Sequence, residues 1–150
     1  MANTYTALYY HIVFSTNRRE RWLTDDLEKR VWAYLGGIAR ENKMTALQVG
    51  GIDDHLHILL GSLPTIALSK AAQLIKGASS KWIHETFPQM RGFAWQDGFG
   101  AFAVSKSNIA EVIKYIQTQR KHHRMRTFQE EFLLLLKRHG IEYDERYLWN

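Results

Sequence analysis

A chain of 150 residues with 45% hydrophobic content has the size of one domain, expected here over 1–150, and can bury a core without covalent staples. It has no cysteine, which excludes disulfides, thiolate metal sites and a cysteine nucleophile, and it fits a reducing compartment. Lys and Arg exceed Asp and Glu by 20 to 15, a formal charge of +5 that favours a polyanionic partner such as nucleic acid. Met1 to Tyr5 lacks the basic start and cleavage site of a secretory signal, and the apolar run Phe132 to Leu136 is too short to span a bilayer. A cytoplasmic protein without a membrane partner is the expectation.

Along the chain, Tyr5 to Ser15 is rich in aromatic and β-branched residues and reads as a first strand. Thr24 before Asp25 and Asp26 marks a helix start, and Leu27, Val31, Tyr34, Leu35 and Ile38 keep helical spacing to about Asn42. Thr45 to Val49 and His55 to Leu60 read as two strands joined through Gly50-Gly51 and Asp53-Asp54. A second helix is predicted from Ala67 to Thr86, with Leu68, Ala71, Ala72, Ile75 and Ser79 inward and Pro88 beyond its end. Phe93 to Val104 reads as a last strand, loosened by Gly98 and Gly100. Ser107 or Asn108 then caps a helix to about His122, and Thr127 caps another that ends at Gly140. The order β-α-β-β-α-β followed by helices predicts an α+β, ferredoxin-like (RRM-like) antiparallel sheet with helices on one face and C-terminal helices added. The second sheet face is expected to stay free for a partner, a ligand or a second subunit. Such a fold hosts many functions and decides none of them.

Two groups of residues could carry chemistry. His55-Leu56-His57 on a strand sends both imidazoles to one face and Leu56 to the other, so the pair can grip one divalent ion. A bare pair of this kind is more often two ordinary strand histidines, and two ligands do not complete a site. Tyr115 and Gln119 lie four residues apart on a helix and share a face, at the edge of the stripe Ile109, Val112, Ile113 and Ile116. Together the groups suggest more: the Gln119 oxygen could serve as third ligand, with the Tyr115 phenol one turn away. A phenol with a pKa near 10 needs an activating environment to attack, and a metal that polarises phosphoryl oxygens supplies the electrophilic half.

These residues lie in a wider pattern. Tyr10-His11-Ile12-Val13-Phe14, Asp54-His55-Leu56-His57-Ile58-Leu59, Lys76 with Ser79 to Trp82, Trp95 to Phe102, and Tyr115-Ile116-Gln117-Thr118-Gln119 follow one another in order. The whole resembles the single-tyrosine HUH transposases of the smallest bacterial insertion sequences, the IS200/IS605 type, where HUH denotes His, hydrophobic residue, His. The resemblance implies that Tyr115 attacks a phosphodiester of single-stranded DNA, forming a 5′-phosphotyrosine and freeing a 3′-hydroxyl. It implies that His55, His57 and Gln119 hold Mg²⁺ or Mn²⁺, and that DNA hairpins at element ends are recognised. It further implies a homodimer in which the tyrosine helix of one subunit can complete the histidine site of the other. Because imidazoles favour transition metals over Mg²⁺, Mn²⁺ is expected to support activity at least as well.

Arg18, Arg19 and Arg21 after the first strand, and Lys76 and Lys81 on the second helix, could meet phosphates. So could the run Arg120, Lys121, His122, His123, Arg124 and Arg126, and such contacts weaken steeply with salt. His122 and His123 are candidates for DNA contact, not for metal ligation. His11 reads as a hydrogen-bonded core residue, and Trp95-Gln96 either as core or as a reader of an unpaired base. Tyr143 to Trp149 is expected to pack on the body or on a partner. Other readings are a domesticated relative that cuts repeated hairpins, a non-catalytic nucleic-acid-binding module, and a metal-dependent phosphohydrolase. The last needs carboxylate ligands, and no Asp or Glu stands at a telling spacing from Tyr115.

Overall fold

The computed structural model describes residues 3–123 and 125–149. Its four strands are β1 (Leu8–Ser15), β2 (Thr45–Ile52), β3 (His55–Ser62) and β4 (Gly100–Val104). They pair antiparallel in the order β2-β3-β1-β4, the ferredoxin-like arrangement. Asp53-Asp54 turn β2 directly into β3, and Ser15 pairs with His55 and Val13 with His57 in the centre of the sheet.

Period-two alternation divides the sheet faces. Ile12, Phe14, Leu56, Ile58 and Leu60 point to one side, where they pack with Val31 and Leu35 of α1 (Asp25–Glu41) and Ala71 and Ile75 of α2 (Leu68–Thr86). The inward residues of α2 are Ala71, Ala72, Ile75, Ser79 and Ile83, close to the predicted stripe.

The opposite face is not free, contrary to expectation. Leu59 packs there with Ile109 and Ile116 of α3 (Ile109–Gln117), while Val13 and Phe102 pack with Phe128 and Phe132 of α5 (Phe128–Arg138). Each C-terminal helix has an apolar stripe too large to leave in water, and this half of the sheet is the apolar surface within reach. Gly50 permits the approach of α3, since a Cβ at that position would lie 2.7 Å from the Ile116 carbonyl oxygen.

Three further elements depart from prediction. The last strand begins only at Gly100; upstream, Trp95 forms a single bridge with Thr16. The aromatic signal of Phe93 and Trp95 arises from edge-on packing with each other and with Phe14, not from a strand ladder. The tyrosine helix breaks at Thr118, whose hydroxyl donates to the Lys114 carbonyl (2.9 Å), a back-bond that loosens a helix, and restarts as α4 (Gln119–His122). A short α6 (Glu145–Leu148) follows Gly140, which takes the left-handed φ of 65°. Leu148 and Trp149 rest against the α5 cluster, so this segment packs on the body. Among the described residues no helix is long and apolar enough to cross a membrane.

Candidate metal and nucleophile site

Strand alternation sends His55 and His57 onto the face covered by α3, α4 and α5, where both are fully buried. The α3–α4 break brings Gln119 over them: its Oε1 lies 3.1 Å from His55 Nε2. A fourth member comes from α5. Thr127 and Glu130 form a reciprocal capping box, each side chain bonding the other's backbone N–H, which fixes the helix start. Glu131 then falls on the same inward stripe as Phe128, Phe132 and Leu135 and is 1% exposed. Its Oε1 stands 3.1 Å from His57 Nε2 and 3.4 Å from His55 Nε2. Its Oε2 accepts hydrogen bonds from Gln119 Nε2 (3.1 Å) and from the Tyr115 hydroxyl.

Tyr115 thus reaches the histidine centre within its own chain, with its ring centroid 5.7 Å from that of His57. Glu131 is the link that sequence reasoning missed. No spacing rule connects it to Tyr115, because a separate helix delivers it. The available signal was an acid at a core-facing position of an apolar stripe, where charged residues are rare unless paired. His123, read from sequence as a DNA contact, also faces the centre: its Nε2 lies 3.1 Å from Gln119 Oε1 and 3.2 Å from Glu131 Oε1.

The ring nitrogens have definable roles. His55 Nδ1–H donates to Asp54 Oδ1 (2.8 Å), which turns its Nε2 toward Gln119 and Glu131. Burial opposes a charge on His55, but hydrogen bonds and attraction from Asp54 and Glu131 prevail and raise it to about 9. His57 behaves oppositely: burial dominates and holds it below the usual histidine value despite Glu131. A neutral His57 that donates from Nε2 to Glu131 accepts at Nδ1 from His11 Nε2–H, at 2.8 Å. His11 is therefore the hydrogen-bonded core histidine expected, and burial together with His57 lowers it to about 3. Glu131 is buried, yet His57, His123 and His55 hold its carboxyl well below the usual range. Burial and the charge of Glu131 push the Tyr115 phenol above its ordinary value.

The donor set suits a divalent ion. Ligand bonds of about 2.0–2.2 Å place neighbouring donors roughly 3.0–3.6 Å apart, and Glu131 Oε1 stands within that range of both imidazole nitrogens. His55, His57 and Glu131 form the candidate ligand group among the described residues, with the Gln119 oxygen beside them. His55 carries the outer partner usual for a metal-bound imidazole, a carboxylate on its far nitrogen.

The candidate DNA contacts scatter. Arg21 lines a hollow of about 450 Å³ with Asp54, His123 and Arg126, and Lys121 lines another of about 420 Å³ with Tyr115, so both border the centre. A third cavity, about 330 Å³, opens on Tyr115 from the β4 side between Phe102, Val112, Arg138 and His139. Arg18 and Arg19 sit in a tight turn with positive φ, the Arg19 guanidinium 5.6 Å from the Trp149 ring. Arg120 is engaged by Glu28 (2.7 Å) and Asp25 of α1. Lys81 is exposed beside Glu85, and Lys76 donates to the carbonyls of Gln96 (2.5 Å) and Gly98 (2.9 Å). Both lysines ride on α2, across the sheet from the histidines. Arg124 and the side chain of His122 lie outside the described residues. Trp95 is core, donating Nε1–H to Ser79 Oγ (3.0 Å), and Gln96 accepts the Ser15 N–H (2.7 Å).

Fold and site together define a sheet-borne cluster that could hold a divalent ion, with two strand imidazoles and a buried carboxylate beneath a helical tyrosine. Residues 4–119 match the family described as Transposase IS200 like, and the chain belongs to that family. It is 26% identical over 117 residues to the ISDra2 transposase TnpA of Deinococcus radiodurans, covering 75% of this chain and 84% of that protein. A crystal structure of a transposase from Deinococcus radiodurans R1 superposes with a TM-score of 0.66 at 25% identity, over 79% of this chain and 95% of that one. A REP-associated tyrosine transposase bound to a REP hairpin shares the fold, with a TM-score of 0.56 at 16% identity, over 82% of this chain and 74% of that one.

Proposed function

We propose that this transposase cleaves and rejoins single-stranded DNA with Tyr115 as nucleophile. The observation that carries the reading is the convergence of the Tyr115 hydroxyl with His55 and His57 through one carboxylate, Glu131. The phenol oxygen attacks a phosphodiester, the bond from phosphorus to the 3′ oxygen breaks, and that oxygen leaves as a protonated hydroxyl. The 5′-phosphotyrosine conserves the bond, so attack by another 3′-hydroxyl rejoins the strand without a nucleotide cofactor.

A divalent ion, Mg²⁺ or Mn²⁺, held by His55, His57 and Glu131 with the Gln119 oxygen adjacent, would polarise the phosphoryl oxygens under attack. Glu131 also bears on the nucleophile. While its free charge faces the phenol, Tyr115 is held protonated; a carboxylate engaged elsewhere withdraws that brake. Arg21 and Lys121, bordering the hollows beside the centre, are suited to phosphate contact. Hairpin DNA is the proposed substrate. Assembly as a homodimer is part of the reading, but one chain already brings its own phenol to its own imidazoles.

The test is incubation with labelled single-stranded DNA from the element's own end and Mn²⁺, followed by a denaturing gel. A protein–DNA adduct is expected from the native chain and none from Tyr115→Phe. Undiminished cleavage in Tyr115→Phe would instead assign the attack to water and make the protein a phosphohydrolase.

A further inference from the structure

We propose that the cavity on the β4 side of Tyr115 is a nucleobase pocket, which takes the unpaired base of the nucleotide that becomes linked to the tyrosine. The inference rests on Tyr115 as nucleophile and names the part of the strand that this end of the site reads. Three observations carry it.

The first is position. Tyr115 and Glu111, one helical turn apart on α3, form the wall shared by two hollows, one of about 330 Å³ toward β4 and one of about 420 Å³ toward α4. In a displacement at phosphorus the leaving oxygen lies roughly in line with the attacking one. The nucleotide 5′ of the broken bond therefore lies on the far side of phosphorus from the phenol. The nucleotide that stays attached through its 5′ oxygen projects sideways and remains beside Tyr115. A cavity with the phenol in its own wall meets that nucleotide and not the departing one.

The second is charge. The hollow toward α4 sets Lys114, Lys121 and Arg126 against Glu111, a surplus of positive charge suited to backbone phosphates. The β4-side cavity sets a single arginine, Arg138, against the same Glu111. A carboxylate repels phosphate oxygens but accepts from the amino group of a base. The two hollows thus sort the strand, backbone to one and base to the other.

The third is the lining. Phe102, Val112 and Leu135 give the cavity an apolar floor. The exposed His139 ring stacks on Phe102, with 4.4 Å between centroids and 24° between planes, and its Nδ1–H donates to the Leu135 carbonyl at 2.8 Å. An aromatic ring held flat in this way is a surface on which an unpaired base stacks. Asn108, Glu111 and Arg138 stand exposed at the rim. Guanine matches that rim: its O6 and N7 accept from the paired N–H groups of an arginine, and its amino group donates to a carboxylate.

The experiment uses the full chain, Mn²⁺ and labelled single-stranded DNA from the element's own end, with the cleaved bond first mapped on the gel. The base on the 3′ side of that bond is varied through all four bases and an abasic site, then the base on its 5′ side likewise, and single-turnover rates of adduct formation are compared. Removing the 3′-side base is expected to slow adduct formation roughly tenfold, the scale of one lost stacking contact, and guanine is expected to react fastest. Arg138→Ala is expected to flatten the preference at that position while reacting with the abasic DNA at close to the native rate, a non-additivity that a phosphate contact would not show. Far-UV circular dichroism confirms the fold of the variant. Equal native rates on all five 3′-side substrates, or a preference confined to the 5′ side, would overturn the proposal. So would an equal loss in Arg138→Ala on every substrate, which would make Arg138 a phosphate contact. Adducts still form in each of those cases; no adduct from any substrate would instead remove Tyr115 as nucleophile, and the role of the pocket with it.

Discussion

Replacing Glu131 by Gln removes one negative charge from a buried centre of imidazoles while keeping the shape of the side chain. In chelator-treated protein the consequence is readable as a stability slope. His55 is raised from 6.5 to about 9 in the fold, against the pull of burial, by Asp54 and Glu131. A group whose folded pKa is raised stabilises the protein fully below its unfolded value and loses that contribution as pH rises through the folded one. At about 1.4 kcal/mol per unit, the His55 shift corresponds to roughly 3 kcal/mol in total, of which about 2 kcal/mol disappears between pH 7 and 9. Other shifted groups leave that window nearly clear. His57 and His11 are lowered and so act below their unfolded value, Glu131 is lowered and acts in acid, and Tyr115 is raised and acts above 10. Urea unfolding at pH 7 and pH 9 measures the slope directly. The native chain is expected to lose about 2 kcal/mol across the window, and Glu131→Gln less than half as much, from a lower starting stability. A flat native profile, or the full slope retained in Glu131→Gln, would refute the account of a His55 imidazolium shared between two carboxylates.

Two further outcomes follow from the geometry. Gly50→Ala should push α3 off β2, because the new Cβ would lie 2.7 Å from the Ile116 carbonyl oxygen and 2.9 Å from its Cγ2. A destabilisation of about 1–3 kcal/mol is expected from such overpacking, with adduct formation falling further than stability because Tyr115 rides on the displaced helix; wild-type thermal melting and adduct yield would count against the close approach. Mixing Tyr115→Phe with His57→Ala should give no adduct if each chain uses its own tyrosine, as the single-chain contacts support, whereas restored adduct in the mixture would place the nucleophile across a dimer.

Local rules carried the reading far in some places. Strand alternation alone placed His55 and His57 on one face and Leu56 and Ile58 in the core, and the spacing of Tyr115 and Gln119 put both on one side of their helix. The capping signal at Thr127 located α5, and the order of elements specified the ferredoxin-like sheet. These features depend on neighbours within a few residues, so the chain displays them directly. Elsewhere local signals misled. The aromatics at Phe93 and Trp95 suggested a strand although their partners are Phe14 and Ser79, and nothing local to Arg120 announced its pairing with Asp25 and Glu28 of α1.

What the amino-acid sequence determined by itself was the sheet, its imidazole face and the helix bearing the phenol, because periodicity and capping act over one or two turns. Only the tertiary structure decided that α5 closes the second face and delivers Glu131, and that the chain after the Thr118 break turns His123 inward. Those residues lie 74 and 66 positions from His57 and 68 and 76 from His55, taking Glu131–His57, His123–His57, His123–His55 and Glu131–His55 in turn. No local pattern reaches across such separations. They meet because burying the stripe of Phe128, Phe132 and Leu135 against Val13 and Phe102 leaves α5 one place to lie, and a carboxylate on that stripe must then find partners among the imidazoles beneath it.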